Sequence, residues 1–414
     1  MIRKILMKRY KVALIILSAF FVVAYSLTSA NNVSNWRSEQ KYYASEEFQK
    51  EFTEHPEFYA KGYDEAKEEV IPYDSLEEFQ KDMLTQYKYA QHYYFDYTSS
   101  GYTDPAMSDD LDTLIDTSYQ MGTYYAGTSM IGAFMVIAAL LTGFLLFFID
   151  QKSNFNRFLF SLPISRKKLF SAKLTNLVLP LIGSFAIGIF LHVLIEYLGI
   201  PAPYINATFP QLLYSGFSHF LLMVLALCLG IALGTLLGNI IFGPIAVVLA
   251  ILLLLTFNDL FYVGFADLLS WLFPNIRLLT PRALFILNLG KTSAPWYMLL
   301  AVVLASILFI VIAKRIFLHV SMENDGDFLT VPTYKKPMFW TLFLFTSIWG
   351  NISLINWYAI ANPSFYENFS YHPLPTFLTV TLLCLLASTV LIYFHEIRKW
   401  WIERREAKLQ TKSY

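Results

Sequence analysis

A chain of 414 residues that is 56% hydrophobic and 15% charged, with a mean hydropathy of +0.46, lies outside the range of soluble domains. In those, about a quarter of residues are charged. The formal net charge of zero hides a segregation, because residues 31–128 hold 20 of the 31 acidic residues and only 7 basic ones. A soluble globular class is excluded, an all-α polytopic membrane protein is expected, and no nucleic-acid partner is.

A spanning helix needs about 20 mostly apolar residues, and stretches near that length recur along the chain. They are Val12–Ala30, Ser129–Ile149, Leu174–Leu198, Phe217–Leu237, Ile240–Phe261, Pro295–Ala313, Met338–Tyr358 and Leu374–Phe394. With about eight spans, the basic clusters MIRKILMKRYK, 150–173, Lys314-Arg315, Lys335-Lys336 and Arg398 to Arg405 all fall on one side. Lys and Arg favour the cytoplasmic side, so both termini are expected inside and residues 31–128 outside, as a helical extracellular insert. The leader imitates a signal peptide through Thr28-Ser29-Ala30. Its apolar run exceeds the usual 7–15 residues, which favours an uncleaved anchor over residues 1–30.

Within the acidic block, Asp74 is expected to cap a helix with Glu77 reaching back, lining up Leu76, Phe79, Met83 and Tyr87. Ser108 is expected to cap another, with Leu111, Leu114, Ile115 and Tyr119 on one stripe. The block reads as a small domain that leans on the membrane part or on a partner. Its charge suits either attraction of cationic peptides or simple solvation.

Between the second and third spans lies DQKSNFNRFLFSLPISRKKLFSAK, residues 150–173. Over 153–162 the residues Phe155, Phe158, Leu159 and Leu162 fall at helical spacing, Pro163 ends the helix, and Ser165 caps the next one. Such an amphipathic helix suits the lipid interface or a groove on a cytoplasmic protein; periodicity does not separate the two. Further on, Gly230, Gly234 and Gly238 repeat along one helix face, a spacing for close packing. Gly238, Asn239 and Gly243 provide the breakers for a tight hairpin. Cys228 and Cys384 lie inside apolar runs, as buried hydrophobes rather than a disulfide framework.

No catalytic set and no metal site stand out. His192 and Glu196 are one turn apart, and Asp259 and Asp267 lie near the outer end of the fifth apolar run. Ionisable groups at membrane depth point to a pathway or outer vestibule, but His192 and Glu196 fall near the outer boundary, where a hydrated, hydrogen-bonded pair is the better explanation of the two. GxxxxGK[ST] is absent. If ATP drives this protein, the ATPase is another chain.

The stretch FLLFFIDQKSNFNRFLFSLPISRKKLFSAKLTN resembles the region after the second span of type 2 ABC exporter permeases. On that resemblance Asp150 matches the acidic position at the span end, Leu162, Pro163 and Arg166 belong to the elbow, and Lys173 matches the basic position opening the third span. The helix carrying Phe155, Arg157, Phe158 and Leu159 would be the coupling helix seated in a separate ATPase subunit. The resemblance further implies ATP and Mg on that partner and no cofactor on this chain. It also implies a second permease subunit, as homodimer or heterodimer, in surrounding membrane lipid, and a bacterial plasma-membrane location. Type 2 permeases carry short re-entrant helices before the sixth span, which would place Arg277 and Arg282, within 262–290, in an outer vestibule; a plain loop explains them too. The core would be 129–313, followed by a cytoplasmic loop 314–337, two additional spans over 338–394 and a basic tail 395–414. The large insert, the two extra spans and the missing Gly-Thr of the loop depart from the family pattern. The expected activity is export of an amphipathic or cationic peptide, a lipid-linked molecule or a drug, without catalysis by this chain itself. A membrane receptor with an acidic ligand-binding ectodomain and a cytoplasmic docking loop is the alternative.

Overall fold

The computed structural model describes residues 2–64, 69–86, 130–153, 155–241, 243–248, 251, 296–320, 328–361 and 374–410. The chain is an all-α membrane protein, with six helices among the described residues long and apolar enough to cross a bilayer. The expected spans at the N-terminus, 129–149, 174–198, 217–237, 295–313 and 374–394 each fall in one of these. The run at 338–358 lies in a further 27-residue helix, Lys335–Ala361. Most of the run at 240–261 lies outside the described residues, as do Asp259, Asp267, Arg277, Arg282, Tyr87 and the Ser108 helix.

The helices fall into two compact units, each described by itself. In the first, α1 (Ile2–Tyr43) is 42 residues long, about 63 Å at 1.5 Å per residue. Its length follows from composition, since neither Gly nor Pro occurs before Pro56. It therefore runs unbroken past residue 30 into the acidic block. The hydroxyls of Ser26, Thr28 and Ser29 donate to carbonyls three or four residues earlier, so these polar groups remain satisfied within the helix.

Beyond α1 come α2 (Glu46–Glu54), a hairpin of β1 (Ala60–Asp64) and β2 (Glu69–Pro72), and α3 (Leu76–Leu84). The strands pair antiparallel, an addition to the expected helices. Ser75 caps α3 by accepting from the Glu78 amide, and Glu78 reaches back to the Asp74 amide. The capping box is thus one residue later than the expected Asp74–Glu77 pair, because Ser75, not Asp74, takes the extended cap conformation. Phe48, Tyr73 and Phe79 form a small aromatic core, with Leu76 and Met83 packed against it.

A second small core of Val33, Trp36, Leu84 and Ile200 ties this block to the connection after the third span. The Trp36 indole donates to the Leu84 carbonyl at 2.8 Å, and Gln86 exchanges backbone hydrogen bonds with Tyr204 and Asn206. The acidic block leans on the membrane part, as its size requires.

After α4 (Met130–Lys152), α5 (Phe155–Ser161) and α6 (Arg166–Lys173), a five-residue π-helical turn, Leu174–Val178, leads into α7 (Leu179–Gly199). Pro180 has no amide hydrogen to continue the regular ladder there. The third span is consequently not a uniform rod from Arg166 onward. α1 packs along α7, where Gly188 admits Tyr25 and the Phe21 backbone. α8 (Phe209–Leu236) follows.

In the second unit, α4 and α8 meet backbone to backbone. A Cβ built on Gly230 would lie 2.0 Å from the Leu140 carbonyl oxygen, on Gly234 2.4 Å from that of Phe144, and on Gly143 2.2 Å from that of Leu227. The glycine repeat serves packing within one chain, where close van der Waals contact replaces the hydrophobic drive that lipid does not supply. At the end of α8, Asn239 Oδ1 accepts from the Ile241 amide and Gly238 donates to the Phe328 carbonyl. Thr330 bonds the Leu236 carbonyl through its amide and the Thr235 carbonyl through its hydroxyl, satisfying helix-end acceptors. The unit is completed by the second half of α9 (Trp296–His319), from Ile307 onward, with α10 (Lys335–Ala361) packed on α11 (Leu374–Gln410).

Candidate functional site

Two constellations stand out, one in each unit. In the second unit the strip after α4 folds as the sequence implies: a short helix α5, a bend at 162–164, and α6 capped by Ser165. Ser165 Oγ accepts from the Lys168 amide at 3.4 Å. Burial then sorts the expected ridge. Leu159 is fully buried and Asn156 nearly so, Phe155 and Leu162 are half-buried, and Phe158 is 49% exposed. Phe155 and Phe158 stack with ring centroids 5.9 Å apart. The outward face therefore consists of Phe158 and Arg157 beside Ser161 and Pro163, with Lys167 and Lys168 also exposed. Leu159 belongs to the interior.

What fixes this element in place is Arg166. Its guanidinium donates to the carbonyls of Leu318 and Val320, both at 2.9 Å, at the C-terminal end of α9. Helix-end carbonyls carry negative partial charge, so a cation is favoured there. The same guanidinium lies 4.5 Å from the centroid of the Phe160 ring, and Phe160 packs edge-on to Phe317 at 5.4 Å. Phe160 also covers the cluster of Ile316, Val320 and Val331. A load applied at Phe158 would thus be passed to α9 through Arg166 and Phe160. Asp150 and Lys173, the charged positions bounding the strip, are each fully buried, which a charge tolerates only when compensated.

In the first unit, α1, α7 and α8 enclose a polar network. Tyr25 is fully buried, and its hydroxyl is 2.9 Å from His219 Nε2 and 2.8 Å from the Met223 sulfur. The hydroxyl has one proton to donate, so the His219 ring donates to it whenever sulfur takes that proton. The Tyr25 carbonyl lies 3.2 Å from His192 Nδ1, and the other ring nitrogen lies 3.5 Å from Glu196 Oε1. Asn32 donates to that same carboxylate oxygen at 2.7 Å. His192 and Glu196 are 0% and 2% exposed, so the pair lies inside the protein.

The sequence singled out His192 and Glu196 but not His219. It gave no sign of Tyr25, which joins them from α1 across 167 and 194 positions of chain. Among the described residues no group of three or more His, Cys, Asp or Glu side chains is placed to hold a metal ion. No protein-family model, curated protein or solved structure matches the chain.

Proposed function

We propose that this chain is the membrane-embedded permease subunit of an ATP-driven exporter of the type 2 ABC class, working with separate ATPase subunits and a second permease subunit. The observation that carries the reading is the α5 element: an exposed Phe158 and Arg157 on a seven-residue helix whose back is locked by Leu159, Phe160 and Arg166. An apolar knob rimmed by cations on a braced helix suits a cleft on a partner protein. The bracing distinguishes it from a helix that merely floats in the lipid interface. Both termini and the α5 element lie in the cytoplasm in this reading, with the acidic block outside. Closure of the ATPases pushes α5, and the motion travels through Arg166 to α9 and along α6 toward the π turn, where the third span gives. Cargo is an amphipathic or cationic peptide, a lipid-linked molecule or a drug, driven outward; the acidic ectodomain favours the cationic peptide.

Purification of the tagged full chain from its own membranes in mild detergent tests this. Wild type is expected to retain an ATPase carrying a phosphate-binding loop, identified by mass spectrometry, and Phe158→Asp to lose it while keeping its own thermal stability. Absence of any ATPase with wild type, or full retention by the variant, sinks the reading. Leu159→Asp is unsuitable for this purpose, since it buries a charge and would unfold the element.

A further inference from the structure

The last helix continues past the apolar span. At Tyr393 the backbone leaves helical geometry, with φ −106° and ψ 18°, and the helix resumes to Gln410. Such a kink marks where one helix becomes two. Just beyond it Glu396 pairs with Lys335 at the start of α10, and the Tyr393 ring lies 6.0 Å from Phe339, so the root of the second segment is held.

At about 3.6 residues per turn, Ile397, Trp400, Trp401, Arg404 and Arg405 share one face, and Glu396 and Glu403, each one turn from Trp400, border it. The acids are engaged there by lysines, Glu396 by Lys335 and Glu403 by Lys399 at 4.0 Å. On that face Arg404 lies over the Trp400 ring at 4.8 Å and Arg405 over Trp401 at 5.8 Å. Trp400 and Trp401 are 55% and 58% exposed, and Ile397 is 41% exposed. Two neighbouring tryptophans left open beside arginines form a patch that calls for a cover.

We propose that this face is a docking surface for an anionic lipid bilayer. Three observations choose the bilayer over an acidic protein. The segment is continuous with the helix Phe377–Arg405, which is long and apolar enough to cross a membrane, so it is tethered beside a bilayer. Tryptophan beside arginine matches the headgroup layer, with the indole at the acyl boundary and the guanidinium on phosphate. The two bordering acids are each paired with a lysine, which leaves Arg404 and Arg405 as the unbalanced charge of this face. Bound this way, the tail lies along the inner surface of the membrane and fixes the end of the last span, independently of which partner α5 engages.

Hydrogen–deuterium exchange of the full chain in phosphatidylcholine nanodiscs, with or without phosphatidylglycerol, tests this. Amides of 396–405 are expected to be protected about tenfold more with the anionic lipid. The difference should vanish in high salt and in the Arg404→Gln/Arg405→Gln variant, while protection of α9 stays constant. Equal protection in neutral and anionic discs overturns the proposal. So does protection that arises in neutral discs only when polyglutamate is added, which would assign the face to an acidic protein.

Discussion

Arg166 binds the carbonyls of both Leu318 and Val320, joining the start of α6 to the end of α9 through two 2.9 Å hydrogen bonds. Charge-assisted bonds of this kind contribute about 1.5–3 kcal/mol, and loss of one partner leaves helix-end carbonyls unsatisfied. Arg166→Ala is expected to destabilise the chain by about 2–4 kcal/mol, read by thermal unfolding in detergent. Arg166→Lys should recover only part, since an ammonium can donate to both carbonyls but lacks the planar guanidinium that lies over Phe160. Full recovery by lysine would show that charge alone holds the joint.

The glycine contact between α4 and α8 offers a sharper test of packing. A methyl at Gly230 would meet the Leu140 oxygen at 2.0 Å, while one at Gly183 in α7 meets nothing within 4 Å. Gly230→Ala should lower stability by about 1–3 kcal/mol through overpacking. Gly183→Ala should be neutral or raise it by up to about 1 kcal/mol through helix propensity. The same assay serves both, and equal effects would contradict the contact.

Tyr25 is the hub of the buried network, bonded through its hydroxyl to His219 and through its carbonyl to His192. Tyr25→Phe keeps the ring and the carbonyl but strips the hydroxyl, at an expected cost of about 1–3 kcal/mol. His219→Ala alone should cost a similar amount, and the double variant less than their sum, because both remove one interaction. Strict additivity in this cycle would mean the two groups do not interact.

Tyr59 sits among Phe48, Phe52 and Phe79 in the acidic block. Burial, followed by a hydrogen bond to Glu51, pushes its phenol up to about 12. The folded value exceeds the unfolded one of 10.0. The stabilising contribution is therefore complete below pH 10 and is lost as pH rises toward 12. Ultraviolet titration of wild type against Tyr59→Phe should show this phenol ionising near pH 12, above the ordinary 10.0. Ionisation close to pH 10 would show that the aromatic cluster is open to water.

Much of the fold was legible because apolar length and basic clusters are direct consequences of the bilayer. The α5 element was legible for a different reason: Pro163 and Ser165 punctuate it locally. The inward turn of Leu159 was not, because a periodic stripe identifies an apolar face without saying whether protein or partner covers it. Arg166 read as part of the elbow and not as a tie to α9, since its two acceptors lie 152 and 154 positions away. Tyr25 was hidden for the same reason, and the Leu174–Val178 π turn because its only signal, Pro180, is also tolerated at ordinary helix starts.

The central claim, that the exposed face of α5 meets an ATPase, is tested most directly by photocrosslinking with benzoylphenylalanine in place of Phe158 in the native membrane. The account predicts a crosslink to a nucleotide-binding ATPase from position 158 and none from position 159, whose native leucine is fully buried. Crosslinks from 158 to lipid alone, or to a partner without a phosphate-binding loop, would contradict it.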